Sequence, residues 1–216
     1  IPFWGWDKPG NKVTVSIGEA SQSAEADKEG RWMVKLPAMK AGGPHTVKVV
    51  GSSTHSYKNV LVGEVWLCSG QSNMEWRVSQ SKDAKKEIAS ANHPMIRHIK
   101  YPHQTSTKPE TNNRSQGGWQ VCSPKTVASF TAVGYYFGRH LHKELKVPIG
   151  LIGSNWGGTR IEPWTPPEGF KAIPELKKIA DNLPNLPGPR AARTSPLAIY
   201  NAMIHPLVPY NLRGAI

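Results

Sequence analysis

The stretch Val60-Leu61-Val62-Gly63-Glu64-Val65-Trp66-Leu67-Cys68 is almost continuously apolar and ends in Ser69-Gly70. Such a run reads as a strand buried on both faces, the habit of a parallel sheet covered by helices. A second run, Ile149-Gly150-Leu151-Ile152-Gly153, leads straight into Ser154-Asn155-Trp156-Gly157-Gly158-Thr159. Between the two lie a polar, Ala-containing helical pattern from Lys82 to Ala91 and a short strand pattern from Met95 to Ile99. A stronger helical stripe follows, formed by Phe130, Val133, Phe137, Leu141 and Leu145, with Ser129 as its cap and Pro148 as its stop. Strands alternating with helices point to an α/β fold with a parallel sheet and helices on both faces.

Upstream the pattern changes. Val13, Val15 and Ile17 alternate with polar residues, as do Trp32, Val34 and Leu36, then Val47 and Val49. Pro9-Gly10-Asn11, the segment from Ala26 to Gly30 and Ala41-Gly42-Gly43-Pro44 supply turn chemistry at short spacing. Residues 1–59 therefore read as a small antiparallel β-sandwich whose first strand is expected to be missing, and residues 60–216 as the N-terminal portion of an α/β domain. Downstream, Leu183 to Pro196 is a Pro-rich loop, and Pro196 opens a helical turn carrying Leu197, Tyr200 and Ile204. Arg213-Gly214-Ala215-Ile216 reads as the start of another strand, so the sheet is expected to be incomplete at the last residue.

The chain of 216 residues carries 27 Lys and Arg against 15 Asp and Glu, a formal net charge of +12. That excess suits an anionic partner, but the basic residues are dispersed, and Lys82–Lys86 and Lys171–Lys178 read as solvated helix faces. No zinc-finger spacing, RNP-like aromatic motif or basic tail accompanies them, so no nucleic-acid partner is expected. No run of about 18 apolar residues exists to cross a membrane. Ile1 to Trp6 lack the basic and apolar regions of a secretory signal. Cys68 and Cys122 allow at most one intrachain disulfide and neither has a neighbour at metal-ligand spacing, so no metal or cofactor is expected. Cys68, inside an apolar run, reads as a small buried hydrophobe.

In an open parallel sheet, ligands bind outside the carboxyl ends of the strands, so the residues after the two apolar runs come first. The first end supplies Gly70-Gln71-Ser72-Asn73-Met74, with a Ser on a tight turn between strand and helix. Such a turn exposes the hydroxyl beside backbone N–H groups able to hold an oxyanion. Ser and Asn after a strand are equally ordinary helix caps, and the spacing is not Gly-x-Ser-x-Gly. The second end supplies Gly157-Gly158-Thr159, where backbone can approach a ligand closely and an N–H can meet that of Ser72 across one crevice. A plain tight turn explains the same glycines. Arg160 has two readings, a bidentate fork for a carboxylate or a partner for Glu162.

At these segments the chain resembles the sialate O-acetylesterase family, a branch of the SGNH-type hydrolases. Gly63 to Trp76, through Ser69-Gly70-Gln71-Ser72-Asn73-Met74-Glu75-Trp76, resembles the family's nucleophile block. Gly150 to Trp164 resembles its glycine-bearing block, and Tyr200-Asn201-Ala202-Met203-Ile204-His205-Pro206-Leu207-Val208-Pro209-Tyr210 the lead into a third. Weaker matches at Gly118 to Pro124 and in the opening β segment keep the same order.

The resemblance implies an SGNH-hydrolase, flavodoxin-like three-layer sheet preceded by the β-sandwich, and an extracellular or periplasmic protein acting on an acetylated sugar or glycan. It makes Ser72 the nucleophile and gives the oxyanion hole to the N–H of Ser72 and of Gly157 or Gly158; Gln71, Asn73 and Arg160, beside these groups in sequence, are expected at the substrate. It further implies a Gln-Gly-Glu-Ser segment, expected just after Ile216, and an Asp-x-x-His pair supplying the general base. Neither is among these residues, since none of Asp7, Asp27, Asp83 and Asp181 is followed three residues later by His. The pair is expected in the remainder of the polypeptide or in a second chain. His205, nearest a family block, precedes Pro206 and reads as structural. The rival is a non-catalytic carbohydrate-binding protein in which Trp4, Trp6 and Trp32 stack on sugar faces, although such residues are more often core in a small sandwich.

Overall fold

The computed structural model describes residues 1–112, 115 and 117–216. It is a mixed α/β structure with three sheets. Strands β1 (Pro2–Trp6), β2 (Lys12–Ile17), β3 (Ala20–Glu25), β4 (Arg31–Lys35), β5 (Gly42–Val50) and β6 (Thr54–Val62) open the chain. β1 and β4 form an antiparallel pair, and β3-β2-β5-β6 an antiparallel sheet of four. Val15, Ile17 and Val47 on one sheet and Val34 beside the other share a buried cluster with Leu36, as the alternation of those residues requires.

The apolar run from Val60 to Cys68 is divided rather than a single strand. Val60 and Val62 pair with β5, whereas β7 (Glu64–Gly70) belongs to the third sheet. The break falls at Gly63, where a Cβ would lie 2.1 Å from the Pro148 carbonyl oxygen, so only glycine lets the chain pass there. The antiparallel sheet thus runs on to Val62.

After β7 come α1 (Ser72–Glu75), α2 (Ala84–Ser90), β8 (His93–Lys100), β9 (Gln120–Cys122), α3 (Ala132–Leu145) and β10 (Ile149–Asn155). Two short helices, α4 (Pro167–Lys171) and α5 (Lys177–Asp181), and the short strand β11 (Gly214–Ala215) complete the order. The third sheet runs β11-β7-β10-β8-β9, with β11, β7, β10 and β8 parallel and β9 antiparallel at one edge. Its side chains alternate by the pleat. Cys68, Ile96, Ile149 and Leu151 pack in one cluster with Phe130 and Tyr135, while Ile99 and Ile152 pack in another with Leu207. Arg213-Gly214-Ala215-Ile216 does enter the sheet, beside β7.

Helix α3 departs from the stripe read in the sequence. Its cap is Thr131, whose side-chain oxygen accepts from the Gly134 N–H, and Ser129 lies in a preceding 3-10 turn. The buried face is Ala132, Gly134, Tyr135 and Gly138, whereas Val133 and Leu145 are 45% and 47% exposed. Gly134 lets the helix approach the sheet closely, since a Cβ there would lie 2.8 Å from Cys68 Sγ. Close approach at the glycines, together with burial of Tyr135, selects that face.

Cys68 and Cys122 are free and buried. Burial pushes their thiols up to about 12 and about 11. The basic residues Lys82, Lys85, Lys86, Lys171, Lys177 and Lys178 are exposed. Among the described residues no helix is long and apolar enough to cross a membrane, and no group of three or more metal-ligating side chains comes together.

Candidate functional site

The parallel register builds the site. Asn155, the last residue of β10, stands opposite Gly70, the last of β7, and the Trp156 N–H donates to the Gly70 carbonyl at 3.0 Å. Two residues further along each chain lie Gly157 and Ser72. A Cβ added at Gly157 would sit 3.4 Å from Ser72 Oγ and 3.1 Å from a Glu75 carboxylate oxygen. Gly70 has φ of +138°, the left-handed side of backbone space, which turns the chain sharply out of the strand into α1. Ser72 is exposed there, and its hydroxyl makes no hydrogen bond among the described residues. Gln71 and Asn73 flank it, also exposed.

The glycine loop is held from below. Thr159 donates to the Trp156 carbonyl at 2.7 Å and accepts from the Trp164 indole N–H at 2.9 Å. The π-helical turn Tyr200–Ile204 buries Ala202 and Met203 beside Trp156 and Trp164, and the Ser154 hydroxyl donates to the Met203 carbonyl at 3.0 Å. Gly158 has φ of +72° and open space about its Cα. Arg160 is exposed and makes no ion pair with Glu162 among the described residues. His205 uses ring nitrogen Nδ1 on the Glu110 carbonyl at 2.8 Å, a structural bond remote in role from proton transfer to Ser72.

The structure adds residues that the sequence did not single out. Glu75, three positions after Ser72, accepts the Gly157 N–H at 2.6 Å on one oxygen. Its other oxygen lies 2.6 Å from His103 Nε2 and 3.5 Å from the Lys100 ammonium. Lys100 ends β8, donates to the Asn155 carbonyl at 3.0 Å and also reaches the Asn155 side-chain oxygen. The Asn155 amide donates in turn to the Cys68 carbonyl at 3.1 Å, tying β10 to β7. His103 lies flat on Trp156, with ring centroids 4.5 Å apart and planes 4° from parallel. Partial burial works against charge on Glu75, but the Gly157 N–H, the Lys100 ammonium and His103 outweigh it and hold the carboxyl below the usual carboxylate range. Burial lowers the Lys100 pKa against the opposing pull of Glu75. Glu75 was legible as a member of the Ser72 block. Lys100 and His103 were not, because they come from a different strand end, where the Tyr101 N–H continues the pairing onto the Gly153 carbonyl at 2.9 Å.

Away from this site, Trp4, Trp6 and Trp32 line, with Tyr57, Trp119 and Tyr210, a cavity of about 950 Å³ between the antiparallel strands and the parallel sheet. Trp4 meets Tyr210 edge-on at 5.8 Å.

An exposed serine hydroxyl, a glycine loop against it and an anchored carboxylate form an arrangement suited to acyl transfer. The family model described as carbohydrate esterase, sialic acid-specific acetylesterase, matches residues 62–182. Human sialate O-acetylesterase is 34% identical over 241 residues, covering 99% of this chain and 44% of that protein. The mouse sialate O-acetylesterase is 31% identical over 262 residues, covering 99% and 47%. The crystal structure of a carbohydrate acetylesterase from Xanthomonas citri superposes with a TM-score of 0.86 at 36% identity, over 100% of this chain and 46% of that one. The chain spans less than half the length of these relatives. With block order, register and overall likeness in agreement, the chain belongs to the sialic acid-specific acetylesterase family of carbohydrate esterases.

Proposed function

We propose that the protein is a carbohydrate O-acetylesterase with Ser72 as its nucleophile. The observation that carries this reading is the register of β7 on β10, which brings the glycine loop so near an exposed serine hydroxyl that a Cβ added at Gly157 would touch it. Ser72 Oγ attacks the acetyl carbonyl and its proton passes to a general base. The backbone N–H groups of Ser72 and the Gly157–Gly158 loop hold the tetrahedral oxyanion. Collapse breaks the bond to the sugar oxygen, which takes up that proton and leaves as the hydroxyl, and water then hydrolyses acetyl-Ser72, releasing acetate and restoring the serine.

Gln71, Asn73 and Arg160 are proposed to contact the sugar, Arg160 through a guanidinium left unpaired by Glu162. The base is proposed to be the Asp-x-x-His pair implied by family membership, carried by polypeptide outside these residues. In the same reading the five-stranded sheet is an SGNH-type three-layer core, and the segment up to Val62 a β-sandwich preceding it. Sialic acid esters and other acetylated sugars fit the names of the relatives equally, and an extracellular or periplasmic location rests on the family alone.

The test is Ser72→Ala in the complete protein. Turnover of an aryl acetate is expected to fall by about 10⁴-fold or more with folding intact, because a missing nucleophile disables the catalytic group as a unit. Activity within about tenfold of wild type overturns the assignment. Glycan binding that survives the substitution, with no esterase turnover by the unsubstituted protein, favours the carbohydrate-binding rival instead.

A further inference from the structure

We infer that Glu75 is a positioning residue of this site, clamping the glycine loop to the Ser72 turn and consuming the Gly157 N–H so that Gly158 supplies the loop's oxyanion donor. The inference rests on the esterase reading above and assigns work within it.

Three contacts carry it. The two shortest hydrogen bonds of the Glu75 carboxylate, both 2.6 Å, go to the Gly157 N–H and to His103, while Lys100 stands off at 3.5 Å. Glu75 therefore serves the loop first and the ion pair second. A backbone N–H already committed to a carboxylate cannot also meet a developing oxyanion, and the negative charge beside it opposes one. The Gly158 N–H follows directly and sits in an exposed residue with φ of +72° and free space about its Cα.

An oxyanion donor acts only if its position is set before reaction begins, and glycine pairs do not set their own position. Besides the contacts that hold it from below, the loop is tied to the β7–α1 segment at two points, the Trp156 N–H on Gly70 and the Gly157 N–H on Glu75. Both anchors belong to the segment that bears Ser72. Loop and nucleophile therefore move as one piece. His103 closes the outer side of the clamp by lying on Trp156 with Nε2 on Glu75, and Lys100 balances the carboxylate charge from the β8 end.

The clamp acts on the transition state and not on sugar binding, which fixes the test. In the complete protein, kcat and KM for an aryl acetate are measured for wild type, Glu75→Gln, Glu75→Ala and His103→Phe, with thermal midpoints alongside. Gly157 and His103 meet different carboxylate oxygens, and glutamine replaces one of the two by an NH2 that cannot accept, so Glu75→Gln is expected to lower kcat about tenfold, and Glu75→Ala about a hundredfold, with KM within about threefold. Affinity for a phosphonate transition-state analogue should fall by the same factors as kcat/KM, a response that loss of stability alone does not produce.

If Glu75→Ala does not fold, Glu75→Gln with an unchanged thermal midpoint decides the question. Wild-type kcat in Glu75→Gln, or a loss confined to KM, overturns the inference. His103→Phe is expected to cost no more than about tenfold. A loss near 10⁴-fold would make His103 the general base and Glu75 its orienting group, which also overturns it. Absence of Ser72-dependent turnover in the wild-type protein removes the esterase reading itself, an outcome distinct from wild-type kinetics in the Glu75 variants.

Discussion

At the scale of single residues, the described chain shows two buried side-chain atoms without a hydrogen-bond partner, His45 Nε2 and His98 Nε2. His98 is 3% exposed and stacks on Phe130 with ring centroids 4.5 Å apart. Burial first, and the Lys100 ammonium second, push its pKa down from 6.5 to about 3. The ring is therefore neutral when folded but takes a proton in the unfolded chain once the pH falls below about 6.5. Stability is whole above that value and drains as the pH drops toward about 3, by at most about 1.4 kcal/mol per pH unit. His98→Phe keeps the stack and is expected to flatten that fall in denaturant midpoints measured from pH 7 to pH 4; equal slopes refute the assignment. Arg160 yields a second expectation. Arg160→Lys should raise KM more than it lowers kcat, and more for anionic sugars, since an ammonium cannot reproduce a planar fork. Unchanged KM on a sialic acid ester leaves the residue without a role at the substrate.

Among elements, α3 shows how far periodicity reaches. The spacing of Phe130, Val133, Phe137, Leu141 and Leu145 announces a helix and the helix is there, yet the buried face falls one residue later, on Gly134, Tyr135 and Gly138. A hydrophobicity pattern weighs side chains, and here two of the positions that meet the sheet, Gly134 and Gly138, have none to weigh, while Tyr135 is buried between them. Gly134→Ala decides between two effects of opposite sign. On an exposed helix the change stabilises by about 1 kcal/mol. Here the new Cβ would lie 2.7 Å from Thr131 Cγ2 and 2.8 Å from Cys68 Sγ, so overpacking is expected to win by about 1–3 kcal/mol. A rise in the denaturation midpoint would show that α3 backs away from β7 at little cost. The run from Val60 to Cys68 teaches the same lesson, because apolar character alone cannot mark the point where one strand hands over to another sheet.

For the molecule as a whole, the proposed chemistry turns on the base. Ser72 has a shaped surrounding but no proton acceptor bonded to it among the described residues, and no Asp-x-x-His occurs in the chain. Residues 1–216 expressed alone are therefore expected to hydrolyse an aryl acetate no faster than buffer, while the complete protein does so by way of Ser72. Turnover by residues 1–216 alone would place a base within them, with His103 the first group to substitute.

From its residues and a family resemblance, the sequence alone determined a parallel sheet entered through the apolar runs that end at Cys68 and Gly153, a serine on the turn after one strand and glycines on the turn after the other. These are local signals, carried by apolar runs and by residue types suited to tight turns. Only the tertiary structure decided that Gly70 stands opposite Asn155, that Gly157 gives its N–H to Glu75, and that Lys100 at the end of β8 and His103 just beyond it complete the cluster. Register and the meeting of separate strand ends depend on pairing between residues tens of positions apart. No window along the chain contains both partners, and only packing brings them together.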